Sequence, residues 1–272
     1  MFSALIASLF FLIGLHLKID KLRSCRHRLK ELGIGLSVIF VLTPLLGFLI
    51  DSVVGGALGD AFLVIGVSAA ALGSPVVFAN RGRAEGELSL IIGGVSVILG
   101  VLLMPLLLSL FGLDVVFQDL ALKNLAVVGV PLVAGIGAQR WENFLLDDLR
   151  HHFSKLSLWL IVTIMGVQGY LVYSAQGLQF LTGLGTALVL MTGFVSVSYG
   201  LGYGISRLSG LLEKNSRSVG FSSGSKNLAL ALFMASQVGG EVVAYVLAYY
   251  FVRQAVTGGI SEAYRRNLFP WN

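Results

Sequence analysis

Nine stretches of this chain are apolar enough to sit in a bilayer. They fall at roughly 2–17, 32–50, 60–80, 87–111, 123–139, 155–174, 180–206, 217–236 and 238–258. A spanning helix needs about 17–25 predominantly apolar residues, so the first stretch is short and the others suffice. Lipid offers no partner for a free backbone group, so helices and closed barrels are the spanning solutions. Hydrophobic residues make up 56% of the chain and charged residues 12%, against about 25% charged in a soluble domain. The reading is an all-α polytopic membrane protein of nine transmembrane helices, with no soluble domain.

The net charge of +5 raises the question of nucleic acid, and the distribution of the charge answers it. Lys18, Lys21, Arg23, Arg26, Arg28 and Lys30 share the first loop. Alternate loops carry Arg81 and Arg83, then Arg140, Arg150 and Lys155, then Arg207, Lys214 and Arg217, and the tail carries Arg253, Arg265 and Arg266. That puts 17 of the 19 basic residues on one side. The opposite loops hold Asp51, Asp60, Asp114, Asp119 and Glu241, with Lys123 as their one base. A basic excess in alternate short loops is an orientation signal. It places the N-terminus outside and the C-terminus in the cytoplasm, in a plasma (inner) membrane, with lipid and not nucleic acid as the partner. Cys25 is the single cysteine and makes no internal disulfide. No small-residue cleavage site follows the apolar start, so no cleavable signal is expected. The 139–155 loop, with Trp141, Glu142, Asp147, Asp148, His151 and His152, reads as a short amphipathic connector.

Two spans are interrupted by polar sequence. In the eighth, Ser222-Ser223-Gly224-Ser225-Lys226-Asn227 breaks an otherwise apolar run. Lys226 lies nine residues beyond Arg217, about 13 Å at the helical rise, which is too deep for easy snorkelling. A charge at bilayer depth costs about 3 kcal/mol and marks a candidate site. Such a lysine can attract an anion, stand in for a cation, or titrate. The small residues around it also suit close helix packing, yet an unwound stretch must line a cavity or be buried in protein. In the third span Ser74-Pro75 predicts a break, since proline removes a backbone donor. Asn80 follows, then the charged end that includes Glu85 and Glu87, which read as interfacial. Gln168 in span six either lines a cavity or bonds a neighbouring helix. Gly200-Leu201-Gly202-Tyr203-Gly204 contains GxxxG and reads as helix contact, because no strand precedes it. The histidines show no metal spacing and no catalytic constellation stands out, which disfavours an enzyme.

Residues 32–111 give a plain, a broken and a plain span, and 180–258 give the same series in the opposite orientation. Inverted repeats of this kind are a recurrent transporter plan with sites at the midplane breaks. The candidate site residues are Ser74, Pro75, Asn80, Gln168, Ser222, Ser225, Lys226 and Asn227.

Four segments resemble the bile acid:sodium symporter family: Phe11-Leu12-Ile13-Gly14-Leu15, Thr43-Pro44-Leu45-Leu46, Val130-Pro131-Leu132-Val133-Ala134-Gly135, and Ser218 to Ala231. The likeness covers nearly the whole chain, and the last segment is its most specific part. Auxin-efflux carriers share the plan over 66–111. The resemblance implies a core of two inverted three-helix units, 32–111 and 180–258, and a panel from 1–31 and 112–179, with 259–272 as tail. It implies organic anions carried by alternating access. It also puts the family's sodium-binding glutamate on Ser222, its second-site glutamine on Lys226 and its Ser-Asn pair on Ala79-Asn80. Sodium as a co-substrate is therefore doubtful, and uniport, proton coupling or exchange is expected. The leading expectation is a secondary transporter of a small organic anion. The alternatives are a membrane binding or regulatory protein on the same fold, and proton-linked efflux of an inorganic anion.

Overall fold

The computed structural model describes residues 2–17, 24–113, 116–139, 147–176 and 184–268. Among them the extended elements are all helical, save one isolated backbone bridge. In chain order the helices are α1 Phe2–His16, α2 Leu29–Val54, α3 Gly56–Val67, α4 Ser74–Arg81, α5 Gly86–Leu110 and α6 Phe117–Ala138. Then follow α7 Asp147–Gln176, α8 Leu184–Leu208, α9 Glu213–Gly224, α10 Leu228–Val238 and α11 Gly240–Arg265. Four of these, α2, α5, α6 and α8, are long and apolar enough to cross a membrane by themselves. Shorter apolar helices include α1, α3, α10 and the Trp159–Ala175 part of α7.

α2 and α6 each contain a π turn, Val38–Leu42 and Leu125–Gly129, just ahead of Pro44 and Pro131. A proline brings no N–H and crowds the carbonyl four residues back. A wider turn upstream of it accommodates both effects and leaves carbonyls free.

Two helices are interrupted. α3 stops at Val67, and Ser68 turns extended at φ −64° and ψ 140°. α4 starts only at Ser74, with Pro75 in its first turn. This corrects the expected break at Ser74-Pro75. The unwound stretch is 68–73, and Pro75 opens the second half-helix, where its missing N–H belongs to the unpaired first turn anyway. On the other side α9 ends at Gly224, Ser225 and Asn227 are extended, and α10 begins at Leu228.

Close helix contacts rest on glycine. A Cβ on Gly14 of α1 would collide with the Leu132 carbonyl of α6, and one on Gly135 with the Phe11 carbonyl. α1 also packs on α7, and α7 on α11. In α8 the GxxxG expectation is corrected in detail. Gly200 and Gly204 face open space, and Gly202 between them packs on Ser223 of α9.

One end of the bundle is tied by charge. Arg28 donates to both carboxylate oxygens of Glu85, which therefore pairs with Arg28 rather than with Lys226. The Ser218 hydroxyl is 2.8 Å from both the amide and the carbonyl of Glu85. Arg217 donates to Glu213 at 2.8 Å and lies 4.1 Å over the Tyr264 ring. Arg81 reaches Glu262 on α11 at 2.8 Å. Lys18, Lys21, Arg23, Asp114, Arg140, Trp141 and Glu142 lie outside the described residues, as do the side chains of Cys25, Asp147, Asp148, Arg150, His151, His152 and Lys155.

Candidate functional site

The two interruptions meet. The Ala71 amide donates to the Ser225 carbonyl and the Asn227 amide to the Ala69 carbonyl, both at 2.8 Å, forming an antiparallel bridge between Ala70 and Lys226. The Ala70 amide is taken by the Ser96 hydroxyl of α5 at 3.1 Å. Unwinding frees these backbone groups, and each finds a buried partner, as groups removed from water must.

From this bridge Lys226 turns its side chain toward α2 and α3, and it is 1% exposed. Its ammonium donates to Thr43 Oγ1 at 2.6 Å, to the Gly66 and Ser68 carbonyls at 3.0 Å, and to the Ile39 carbonyl at 3.3 Å. Two causes put four oxygens there. The π turn at Val38–Leu42 turns the Ile39 carbonyl toward the lysine, and the end of α3 leaves those of Gly66 and Ser68 without helical partners. The Thr43 hydroxyl also donates to the Ile39 carbonyl at 2.8 Å and the Gly66 carbonyl at 3.0 Å. An ammonium has three donors and a single charge. The four oxygens form a cation cradle, and the lysine supplies the cation.

Beside the bridge lies a cavity of about 210 Å³, lined at this point by Ala71, Leu72 and Asn227. It is bounded by Leu9 and Ile13 of α1, Ile161 and Ile164 of α7, and Ser74, Asn227, Tyr250 and Arg253 of the core. The N-termini of α4 and α10 both open onto it, through Ser74 and Leu228. The Asn227 side-chain oxygen Oδ1 caps α10 by accepting from the Leu230 amide at 3.2 Å. Helix N-termini present unpaired N–H groups and favour negative charge.

The structure thus gathers Ser74, Ser225, Lys226 and Asn227 at the crossing. Ser225 contributes its backbone, while its hydroxyl and that of Ser222 are buried without hydrogen-bond partners. Pro75 is buried at the start of α4. Asn80 is not brought there. It is exposed near the far end of α4, beside Gly86, about 9 Å along the helix from Ser74. Gln168 is buried on α7, one turn beyond Ile164, and does not line the cavity. Helical rise carries Asn80 away from the crossing within two turns, and the burial of Gln168 agrees with the helix-contact alternative.

Arg253 is the residue that sequence reasoning missed. Counted with the cytoplasmic tail, it instead lies halfway along α11 and is 2% exposed. Its Nη1 donates to Ser74 Oγ at 2.6 Å, and its guanidinium lies 4.8 Å over Tyr250. The signal was available. Apolar sequence resumes after Arg253, and Glu262, Arg265 and Arg266 mark the true end of the helix.

The sequence profile of the SBF-like CPA transporter family matches residues 1–257. The chain is 25% identical over 266 residues to "Probable sodium/metabolite cotransporter BASS3, chloroplastic" of Arabidopsis thaliana, covering 95% of this chain and 61% of that protein. It is 23% identical over 282 residues to "Probable sodium/metabolite cotransporter BASS2, chloroplastic" of Oryza sativa subsp. japonica, covering 98% of this chain and 64% of that protein. The chain therefore spans a little over three fifths of the length of these relatives. With its apolar helices and its profile match over nearly the full length, this integral membrane protein belongs to the SBF-like CPA transporter family.

Proposed function

We propose that the protein is a secondary transporter of a small organic anion, working by alternating access, in which the Lys226 ammonium replaces a coupling sodium ion. One observation carries this reading: a buried ammonium held by four converging oxygens, with no carboxylate among its partners. The relatives are named as sodium/metabolite cotransporters. A sodium ion needs oxygen ligands of the kind this cradle presents, and a fixed positive charge at its centre repels it at short range. Sodium does not fit beside the Lys226 ammonium.

Alternating access is supported by the arrangement of helices. α1, α6 and α7 supply a panel, the broken pairs α3–α4 and α9–α10 with their flanking helices supply a core, and the cavity lies between the two. The order α2, α3–α4, α5 matches α8, α9–α10, α11, in keeping with two inverted repeats and nine crossings. The basic loops favour a cytoplasmic C-terminus, in a plasma (inner) membrane. The relatives' names place those proteins in chloroplasts.

The test is uptake into proteoliposomes of a panel of small organic anions, under sodium, potassium and pH gradients imposed in turn. Uptake that an inward sodium gradient does not accelerate is the expected result. Strong acceleration by sodium would remove the surrogate role of Lys226.

A further inference from the structure

We propose that Arg253 is the anion-binding residue of the crossover cavity, and that the cavity takes a small monocarboxylate with a short apolar body. This deepens the transport reading and rests on it only for the idea that the bound anion is cargo.

Arg253 is a buried cation short of partners. A guanidinium carries five N–H donors and no acceptor. Here one nitrogen reaches Ser74, the plane rests on Tyr250, and Nε is buried with no hydrogen-bond partner. Its neighbours among the described residues are the Tyr249 and Tyr250 hydroxyl groups and Ser74 rather than a carboxylate. Leaving a charge buried and unpaired is expensive, so such a site is completed by a counter-ion. Lys226 differs, because four protein oxygens already hold its ammonium.

Three features point the same way. The guanidinium lines the cavity, and the N-termini of α4 and α10 open onto the same space. All three favour negative charge, and among the described lining residues Arg253 is the one that carries a formal charge. A planar guanidinium matches a carboxylate two oxygens at a time. The rest of the wall is mostly apolar, including Leu9, Ile13, Ile161, Ile164 and Leu228. A second carboxylate on the ligand would meet hydrocarbon. The volume of about 210 Å³ holds about seven waters, and it lies below the roughly 300 Å³ where drug-sized pockets begin. A single carboxylate on a body of a few carbons fits this space.

The test is equilibrium binding to the full chain purified in detergent. Radiolabelled butyrate and benzoate are the probes, with butyramide, benzamide and succinate as competitors. Saturable binding of both acids, displaced by each other and not by the amides, is expected, with succinate a weak competitor. Arg253→Gln should weaken binding about 30-fold or more. Arg253→Lys, which keeps charge and loses the fork, should fall between. The acid-against-amide comparison is made on the unmodified protein, so it stands even if Arg253→Gln does not fold. Amides that compete as well as acids, full affinity in Arg253→Gln, or no binding of either acid would each overturn the assignment. Counterflow in proteoliposomes separates the two readings. An acid bound through Arg253 but never exchanged across the membrane upholds this site and sinks transport. An acid exchanged equally by Arg253→Gln and the unmodified protein does the reverse.

Discussion

Removing the Lys226 side chain should turn a closed cradle into a cation site. In Lys226→Ala the oxygens of Ile39, Thr43, Gly66 and Ser68 still converge, but the ammonium that they face is gone. Two effects oppose each other. Hydrogen bonds to a charged group contribute about 1.5–3 kcal/mol each, while burying an ammonium costs several kcal/mol. The buried charge goes with its cost, yet the Ile39, Gly66 and Ser68 carbonyls are left with the Thr43 hydroxyl to share, and each buried acceptor left unsatisfied costs about 1–3 kcal/mol. The variant should therefore be destabilised when only choline is present. A small cation that fits the hole restores part of this loss by mass action. At one hundred times its dissociation constant the gain is about 2.7 kcal/mol, or roughly 5–10 °C in Tm at about 2–4 °C per kcal/mol for a chain of this size.

The assay is thermal unfolding in detergent, with sodium, lithium, potassium and choline chloride at constant ionic strength. The unmodified protein should give one Tm in all four salts. Lys226→Ala should give a low Tm in choline and a higher one in sodium or lithium. The reasoning fails if the unmodified protein responds to sodium as strongly as the variant. It also fails if the variant keeps its Tm in choline and ignores every cation.

Thr43→Val keeps the shape of the side chain and removes the shortest contact of the Lys226 ammonium, 2.6 Å. It should lower stability by about 1–3 kcal/mol, measured as a shift in Tm, and Thr43→Ser should recover most of the loss. At the charged end, Arg265, then Arg266 and Arg81, hold the Glu262 carboxyl well below its usual range. A depressed carboxylate stabilises the fold above its unfolded pKa of about 4.3 and loses that contribution as pH falls through the folded value. The Tm difference between the unmodified protein and Glu262→Gln should thus be flat from about pH 5 to 8 and shrink only in stronger acid. Because these groups are exposed, salt should shrink it too.

Much of the crossing was legible because polar residues stand out against lipid. The polar run Ser222 to Asn227 announced one unwound stretch, of which Ser225 to Asn227 unwind while Ser222 to Gly224 stay helical, and Lys226 its charge. The partner stretch was not legible. Residues 68–73 read Ser-Ala-Ala-Ala-Leu-Gly, and alanine and leucine are strong helix formers. They unwind here because the Ala70 and Ala71 amides find the Ser96 hydroxyl and the Ser225 carbonyl, a tertiary arrangement that no local preference encodes. Proline marked the restart of the helix at Ser74 rather than its interruption. The oxygens around Lys226 were invisible for a related reason. Three of the four are backbone carbonyls, and composition says nothing about where a carbonyl is left free. Arg253 was hidden by its own charge, since a basic residue near the end of a hydrophobic run reads as a loop marker.

Electrical behaviour follows from where the positive charge resides. In a sodium symporter the cation accompanies the anion, and the charge that crosses is their sum. Here the cations at the crossing are side chains, Lys226 in its cradle and Arg253 at the cavity wall. In the proposed cycle they would return with the empty carrier, so a bound monocarboxylate would cross with net charge −1 and no free counter-ion. Moving one charge across 100 mV is worth about 2.3 kcal/mol, roughly a 50-fold change in the accumulation ratio. Proteoliposomes clamped by a potassium gradient and valinomycin should accumulate the anion when the interior is positive and exclude it when negative. Accumulation indifferent to the clamp, at fixed pH and without sodium, would mean that another charge travels with the substrate, and the fixed ammonium would not be what balances it.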